Sequence, residues 1–198
     1  IILYSILNKV PHQLCDRAYL PAQDLAKRLR EQSQPLFGIE SRQPLLAFDI
    51  LGFSLSYELG ATNILEMLDL ANIPIFSKDR GNISLDNPDS FPLVFAGGPT
   101  ATSNPEPFAD FFDFFALGDG EEILPEIGLV VNEGKAAKLS REDLLLDLAE
   151  IPGVYVPSLY KATKNWSSIK PKHNGIPEKI MRRVASPMPH YGMGLVPN

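Results

Sequence analysis

Residues 50–55 read Ile50-Leu51-Gly52-Phe53-Ser54-Leu55, a compact run of strand length with apolar side chains on both of its alternating faces. Such a run fits a parallel strand covered by helices on either side, rather than the one-sided alternation of an open antiparallel sheet. Next, Ile64, Leu65, Leu68 and Ala71 recur at helical spacing against Asn63, Glu66, Asp69 and Asn72, and Pro74 stands just past the end. A second strand follows over 92–96, closed by Gly97-Gly98-Pro99. Strand, helix and strand in that order predict a right-handed β-α-β unit.

Working outward, the scheme continues on both sides. Asp113-Phe114-Phe115-Ala116-Leu117 reads as a strand closed by Gly118-Asp119-Gly120, and residues 121–131 read as the helix after it. Ser140 with Asp143 makes a capping-box-like start to a helix carrying Leu144, Leu145 and Leu148, and 154–156 reads as an edge strand. Upstream, Pro21 opens an amphipathic helix over 21–32, residues 36–39 read as a short strand, and 41–48 as a brief helix. Residues 1–7 are apolar nearly all round and read as a buried helix. The expected fold is α/β, a flavodoxin- or Rossmann-like parallel sheet in 2-1-3-4-5 order with helices on both faces. Its first strand is expected ahead of Ile1, because the chain opens in a helix and on Ile rather than Met.

Composition sets limits on this reading. With 198 residues, 44% hydrophobic and 21% charged, the chain is ordinary for a globular domain and unlike a disordered one. It lacks the ~20 consecutive apolar residues of a membrane span and the basic start and apolar core of a secretory leader. A lone Cys15 excludes an internal disulfide and cannot supply a thiolate cluster, so a reducing, cytoplasmic setting is expected. Charge divides the chain near Tyr160: residues 1–160 carry 11 basic and 23 acidic residues, whereas 161–198 carry 7 and 1. The proline-rich basic stretch 161–198 reads as a linker or arm that packs only in places, and residues 1–160 as the domain.

In a parallel α/β sheet the ligand lies at the carboxyl ends of the strands. Three loops fall there: Ser54-Leu55-Ser56-Tyr57-Glu58, Gly97-Gly98-Pro99-Thr100-Ala101-Thr102, and Gly118-Asp119-Gly120-Glu121-Glu122. Each puts small or hydroxylated residues where backbone approaches something closely. Each is also an ordinary turn into a helix, and Glu121 and Glu122 suit a helix start by complementing its dipole. Phe53 suits core packing, while Tyr57 suits either core or stacking.

The ordered series Asp49 to Ser54, Ala96 to Glu106 and Ala116 to Glu122 resembles that of cobalamin-binding-type domains that precede radical SAM domains. Tyr57-Glu58-Leu59, Asn63-Ile64-Leu65 and Ile151 to Pro157 are similar to the bacterial B12-binding-domain radical SAM proteins, often labelled Fe–S oxidoreductases. The resemblance covers about residues 1–160. It implies a non-catalytic N-terminal module that positions a corrinoid or substrate, with cobalamin as cofactor. Ser54 and Ser56 would bond the nucleotide tail, Gly97 and Gly98 would lie against it, and Gly118 to Glu122 would close the corrin edge. It also implies a C-terminal partner domain holding a [4Fe-4S] cluster on Cys-x-x-x-Cys-x-x-Cys and S-adenosylmethionine, neither of which this chain can supply. The Asp-x-His-x-x-Gly ligand motif of methionine-synthase-like domains is missing, and His12, His173 and His190 stand in other contexts.

Two alternatives remain: a docking or substrate-recruiting module that binds no corrinoid, and an independent nucleotide-binding enzyme. No Walker A and no Gly-x-Gly-x-x-Gly is present. Gly52-Phe53-Ser54-Leu55-Ser56 stops one residue short of a nucleophile elbow, with no histidine to serve it. Asp110, Asp113 and Asp119 suit solvated or capping roles rather than a metal site. The basic tail with Trp166 reads as a charged linker before an RNA contact.

Overall fold

The computed structural model describes residues 2–163 and 168–186. Its centre is a four-stranded sheet in the order β1 (Ile50–Ser54), β2 (Leu93–Gly97), β3 (Phe114–Ala116), β4 (Val154–Tyr155). The first three strands are parallel, with Phe53 opposite Ala96 and Ala96 opposite Phe115. Helices α1 (Ile2–Leu7), α2 (Gln23–Glu31), α3 (Gly60–Leu70), α4 (Pro99–Ser103), α5 (Gly120–Ala136) and α6 (Arg141–Ala149) surround it.

Two buried clusters cover the two faces of the sheet. One joins Leu51, Leu55, Ile64, Leu68, Ala96 and Phe115; the other joins Leu93, Phe114, Ile123, Ile127, Leu144 and Leu148. Alternation along β2 explains the split, since Val94 and Ala96 face the first cluster and Leu93 the second. The α/β architecture with a mostly parallel sheet is the expected one.

Five expectations change. The edge strand β4 runs antiparallel to β3, Phe115 facing Tyr155. Two helices, α5 and α6, intervene between these strands. The first returns the chain to the amino ends of the strands and the second carries it back, so β4 starts where β3 finishes. Residues 36–39 form no sheet strand; Phe37 makes an isolated bridge to Pro44, and Gly38 accepts from Arg42 and donates to Gln43. This turn is gathered by the Asp16 carboxylate, which accepts from the amides of Arg17, Glu40 and Ser41 and from the Ser41 hydroxyl.

The helix expected over 41–48 shrinks to one 3₁₀ turn at Leu45–Ala47. Helix α1 is not buried: it holds no buried residue, and Ile2 is 50% exposed. Its apolar side chains border an open slot rather than a filled core.

Asp113 also departs from a solvated or capping role. Its carboxylate is 2% exposed, takes Arg80 Nη1 at 2.9 Å and Arg141 Nη2 at 2.9 Å, and accepts the Val94 amide at 2.7 Å. The remaining guanidinium donors reach carbonyls of Pro74, Ile75, Phe91, Pro92 and Phe111. A buried charge is tolerated only when paired and fully bonded in this way.

Past Tyr160 the basic stretch forms a hairpin, β5 (Tyr160–Ala162) against β6 (Ile169–Pro171). Trp166 and His190 lie outside the described residues. No helix among the described residues is long and apolar enough to cross a membrane.

Candidate functional site at the carboxyl edge

Strand β1 stands at the edge of the sheet, and its ladder shows which groups are free. The Leu93 amide bonds the Asp49 carbonyl at 2.9 Å and the Leu55 amide bonds the Gly97 carbonyl at 2.8 Å. In a parallel ladder the residues facing one neighbour alternate, so 49, 51, 53 and 55 face β2. The peptide groups of Ile50, Gly52 and Ser54 therefore point away from the sheet, and no partner for them is found among the described residues. Along this open edge runs a cavity of about 1230 Å³. Leu3, Leu7, Ile127 and Val131 wall it on the α1/α5 side, and Leu45, Phe48 and Met67 on the other.

Seven of the thirteen candidate residues border that cavity: Ser54, Gly97, Gly98, Gly118, Asp119, Gly120 and Glu121. The other six do not. Leu55 is fully buried, Thr100 is buried on the inner side of α4, Ser56, Tyr57 and Pro99 face solvent, and Glu122 turns to the tail. Phe53 is half-buried: it packs on the edge of the core against Phe112, their ring centroids 6.4 Å apart, and also borders the cavity. Tyr57 is 56% exposed and Leu59 78%, so both stand out from the loop after β1.

The three loops are bonded to one another. The Thr100 amide donates to the Leu55 carbonyl at 3.1 Å, and the Gly118 amide donates to Thr102 Oγ1 at 3.0 Å. Gly98 has φ +99°, and a side chain there would stand 2.9 Å from the Leu55 carbonyl. A Cβ on Gly97 would meet the Ala116 carbonyl at 3.2 Å. Gly118 has φ +103°, and a side chain there would collide with the Arg183 carbonyl. These glycines let protein backbone pack on protein backbone, the demand that only a missing Cβ or a positive φ satisfies.

The third loop is covered by the chain's own tail. Arg183 bonds the Leu117 carbonyl through its amide and receives the Asp119 amide at its carbonyl. Its guanidinium reaches Glu122 at 3.2 Å and Glu126 at 2.6 Å. The amides of Ala185 and Ser186 donate to the carboxylates of Asp119 and Glu122. The Ser186 amide and then Arg183 hold the Glu122 carboxyl below the usual carboxylate range.

Sequence reading missed Arg183, whose only signal was a lone basic tail beside an acidic domain. It also missed His12, Cys15, Asp16 and Arg17 at the cavity's margin, which no spacing connects to β1. Among the described residues no group of His, Cys, Asp and Glu could hold a metal ion.

Residues 1–157 match the family described as radical SAM proteins, N-terminal. The chain belongs to this family. No curated protein and no solved structure matches it. As a radical SAM N-terminal domain it carries cobalamin only as an implication of resemblance. Backbone fills the space beside Gly98 and Gly118, and the amides of Leu55, Thr100 and Gly118 are already bonded, whereas the outward peptide groups of Ile50, Gly52 and Ser54 lie open along the cavity.

Proposed function

We propose that this chain is the N-terminal module of a radical SAM iron–sulfur protein and is itself non-catalytic. In this reading the cluster and S-adenosylmethionine belong to a C-terminal radical SAM domain of the same polypeptide. Residues 1–160 serve as a docking and substrate-recruiting surface, and 161–198 link the two. One observation carries this reading: the carboxyl-edge loops spend their peptide groups on each other, while Tyr57 and Leu59 project from them into solvent. Two large apolar side chains beside a rigid, self-bonded rim suit contact with another folded surface.

The corrinoid reading keeps one supporting observation, the large cavity bordered by Ser54, Gly97 and Gly98. Hydroxocobalamin titration followed by visible absorption separates the two. The docking reading expects no saturable spectral change from a chain that circular dichroism shows folded. Tight binding that Gly97→Leu and Ser54→Leu both abolish would overturn it in favour of the corrinoid. A positive readout for docking comes from the full-length protein. Tyr57→Ser with Leu59→Ser should raise hydrogen exchange over 56–60 and in the radical SAM surface that faces it, leaving β2 and β3 protected.

A further inference from the structure

Residues 182–186 do not trail away from the domain. Arg183 and Gly118 form a parallel bridge, made of the Arg183 amide on the Leu117 carbonyl at 2.8 Å and the Asp119 amide on the Arg183 carbonyl at 3.0 Å. Two further amides are taken by side chains: Ala185 donates to Asp119 Oδ2 at 3.0 Å and Ser186 to Glu122 Oε1 at 2.9 Å. Glu122 and Glu126 stand one turn apart on α5, and Arg183 spans both. The Arg183 side chain is 22% exposed, whereas its neighbours Met181 and Val184 are 75% and 66% exposed.

That distribution identifies what holds the segment. Its one large apolar side chain, Val184, points outward, so burial of apolar surface contributes little to residues 182–186. Peptide hydrogen bonds and charge-assisted bonds to two glutamates hold it, and these are reversible and sensitive to salt. Gly118 is shaped for this occupant, because its positive φ and missing Cβ make room for the Arg183 carbonyl. Gly153 leaves room on the far side, where a Cβ would stand 3.2 Å from the Arg183 Cβ.

We propose that the Gly118–Glu122 loop, with Glu126, is a binding site for an extended arginine-bearing segment, and that residues 182–186 are its tethered occupant. The segment acts as a strap. While it is docked, the third loop is closed to any other ligand. When it is released, the loop opens. This assignment rests on contacts within the chain and stands whether or not the docking reading is correct.

The test is charge reversal and charge exchange on the 198-residue chain. Arg183→Glu should raise hydrogen exchange at the Asp119 and Ser186 amides, and tryptic cleavage after Lys179, by about tenfold, as expected for loss of two charge-assisted bonds. Exchange in β2 and β3 should stay at the wild-type rate, which shows that the domain remains folded. Combining Arg183→Glu with Glu122→Arg and Glu126→Arg should restore most of the protection at the Asp119 amide, whose acceptor is the Arg183 carbonyl, while the Ser186 amide, deprived of its Glu122 acceptor, stays exposed. Unchanged exchange in Arg183→Glu would overturn the strap. Loss of protection at Asp119 that the exchanged charges fail to recover would equally overturn it, by showing that the acidic pair does not select the arginine.

Discussion

The amide of Thr100 donates to the carbonyl of Leu55 at 3.1 Å, while the Leu55 amide donates to Gly97 at 2.8 Å. One buried leucine thus ties the loop after β1 to the loop after β2 through both of its peptide groups. The carboxyl edge behaves as one unit, and its stability depends on how closely two backbones can approach.

Gly98 sets that approach. Its φ of +99° and its 2.9 Å clearance from Leu55 leave no room for a methyl group, so Gly98→Ala should lower stability by about 1–3 kcal/mol in urea unfolding. Gly60 is the control: it starts α3 with nothing near its Cβ position. Gly60→Ala should raise stability by about 0.4–1 kcal/mol. Equal effects at the two sites would show that the loop contact is not as tight as the geometry requires.

The Arg80–Asp113–Arg141 group makes a sharper demand. Asp113→Asn keeps the shape but leaves two buried guanidinium groups, 2% and 4% exposed as residues, without a counter-charge. Breaking a buried pair in this way costs about 3–5 kcal/mol. The expected outcome is a large fall in the urea midpoint, or failure to accumulate as a folded protein. A loss below about 1 kcal/mol, the scale of exposed pairs, would contradict the burial.

The open edge of β1 has a signature of its own. Leu51, Phe53 and Leu55 donate toward β2, whereas Ile50, Gly52 and Ser54 donate into the slot. Amide exchange should therefore alternate along the strand, with the second set faster by about tenfold or more. Uniform protection would mean that something covers the edge.

Acid should release the strap. Folding depresses the Glu122 carboxyl through the Ser186 amide and Arg183, with Glu126 and Asp119 as the other acidic groups facing that contact. For a depressed acid, the stabilisation is present above the ordinary glutamate value, near ~4.3, and is lost as pH falls through the folded value. The Ser186 amide resonance should thus shift below the usual carboxylate range while β2 signals persist. In Glu122→Gln that step should vanish.

Residue order alone determined the alternation of strands and helices, because periodicity is local. Ile50 to Leu55 is apolar on both faces wherever it lies, Ser140 caps α6 by accepting the Asp143 amide three residues on, and Gly97-Gly98-Pro99 ends β2 within its own sequence. The carboxyl-edge loops follow from those elements, so the three candidate segments were legible as well. Only the tertiary structure decided the direction of β4, since that depends on how α5 and α6 fold back before the chain reaches Val154. It alone placed Asp113 between arginines 33 residues before it and 28 after it, and brought Arg183 onto Glu122 from 61 residues away. Interactions of that range carry no periodicity. They arise from shape and charge meeting in space, which is why the glycines of the carboxyl edge, visible as a pattern, gained their partners only in the folded chain.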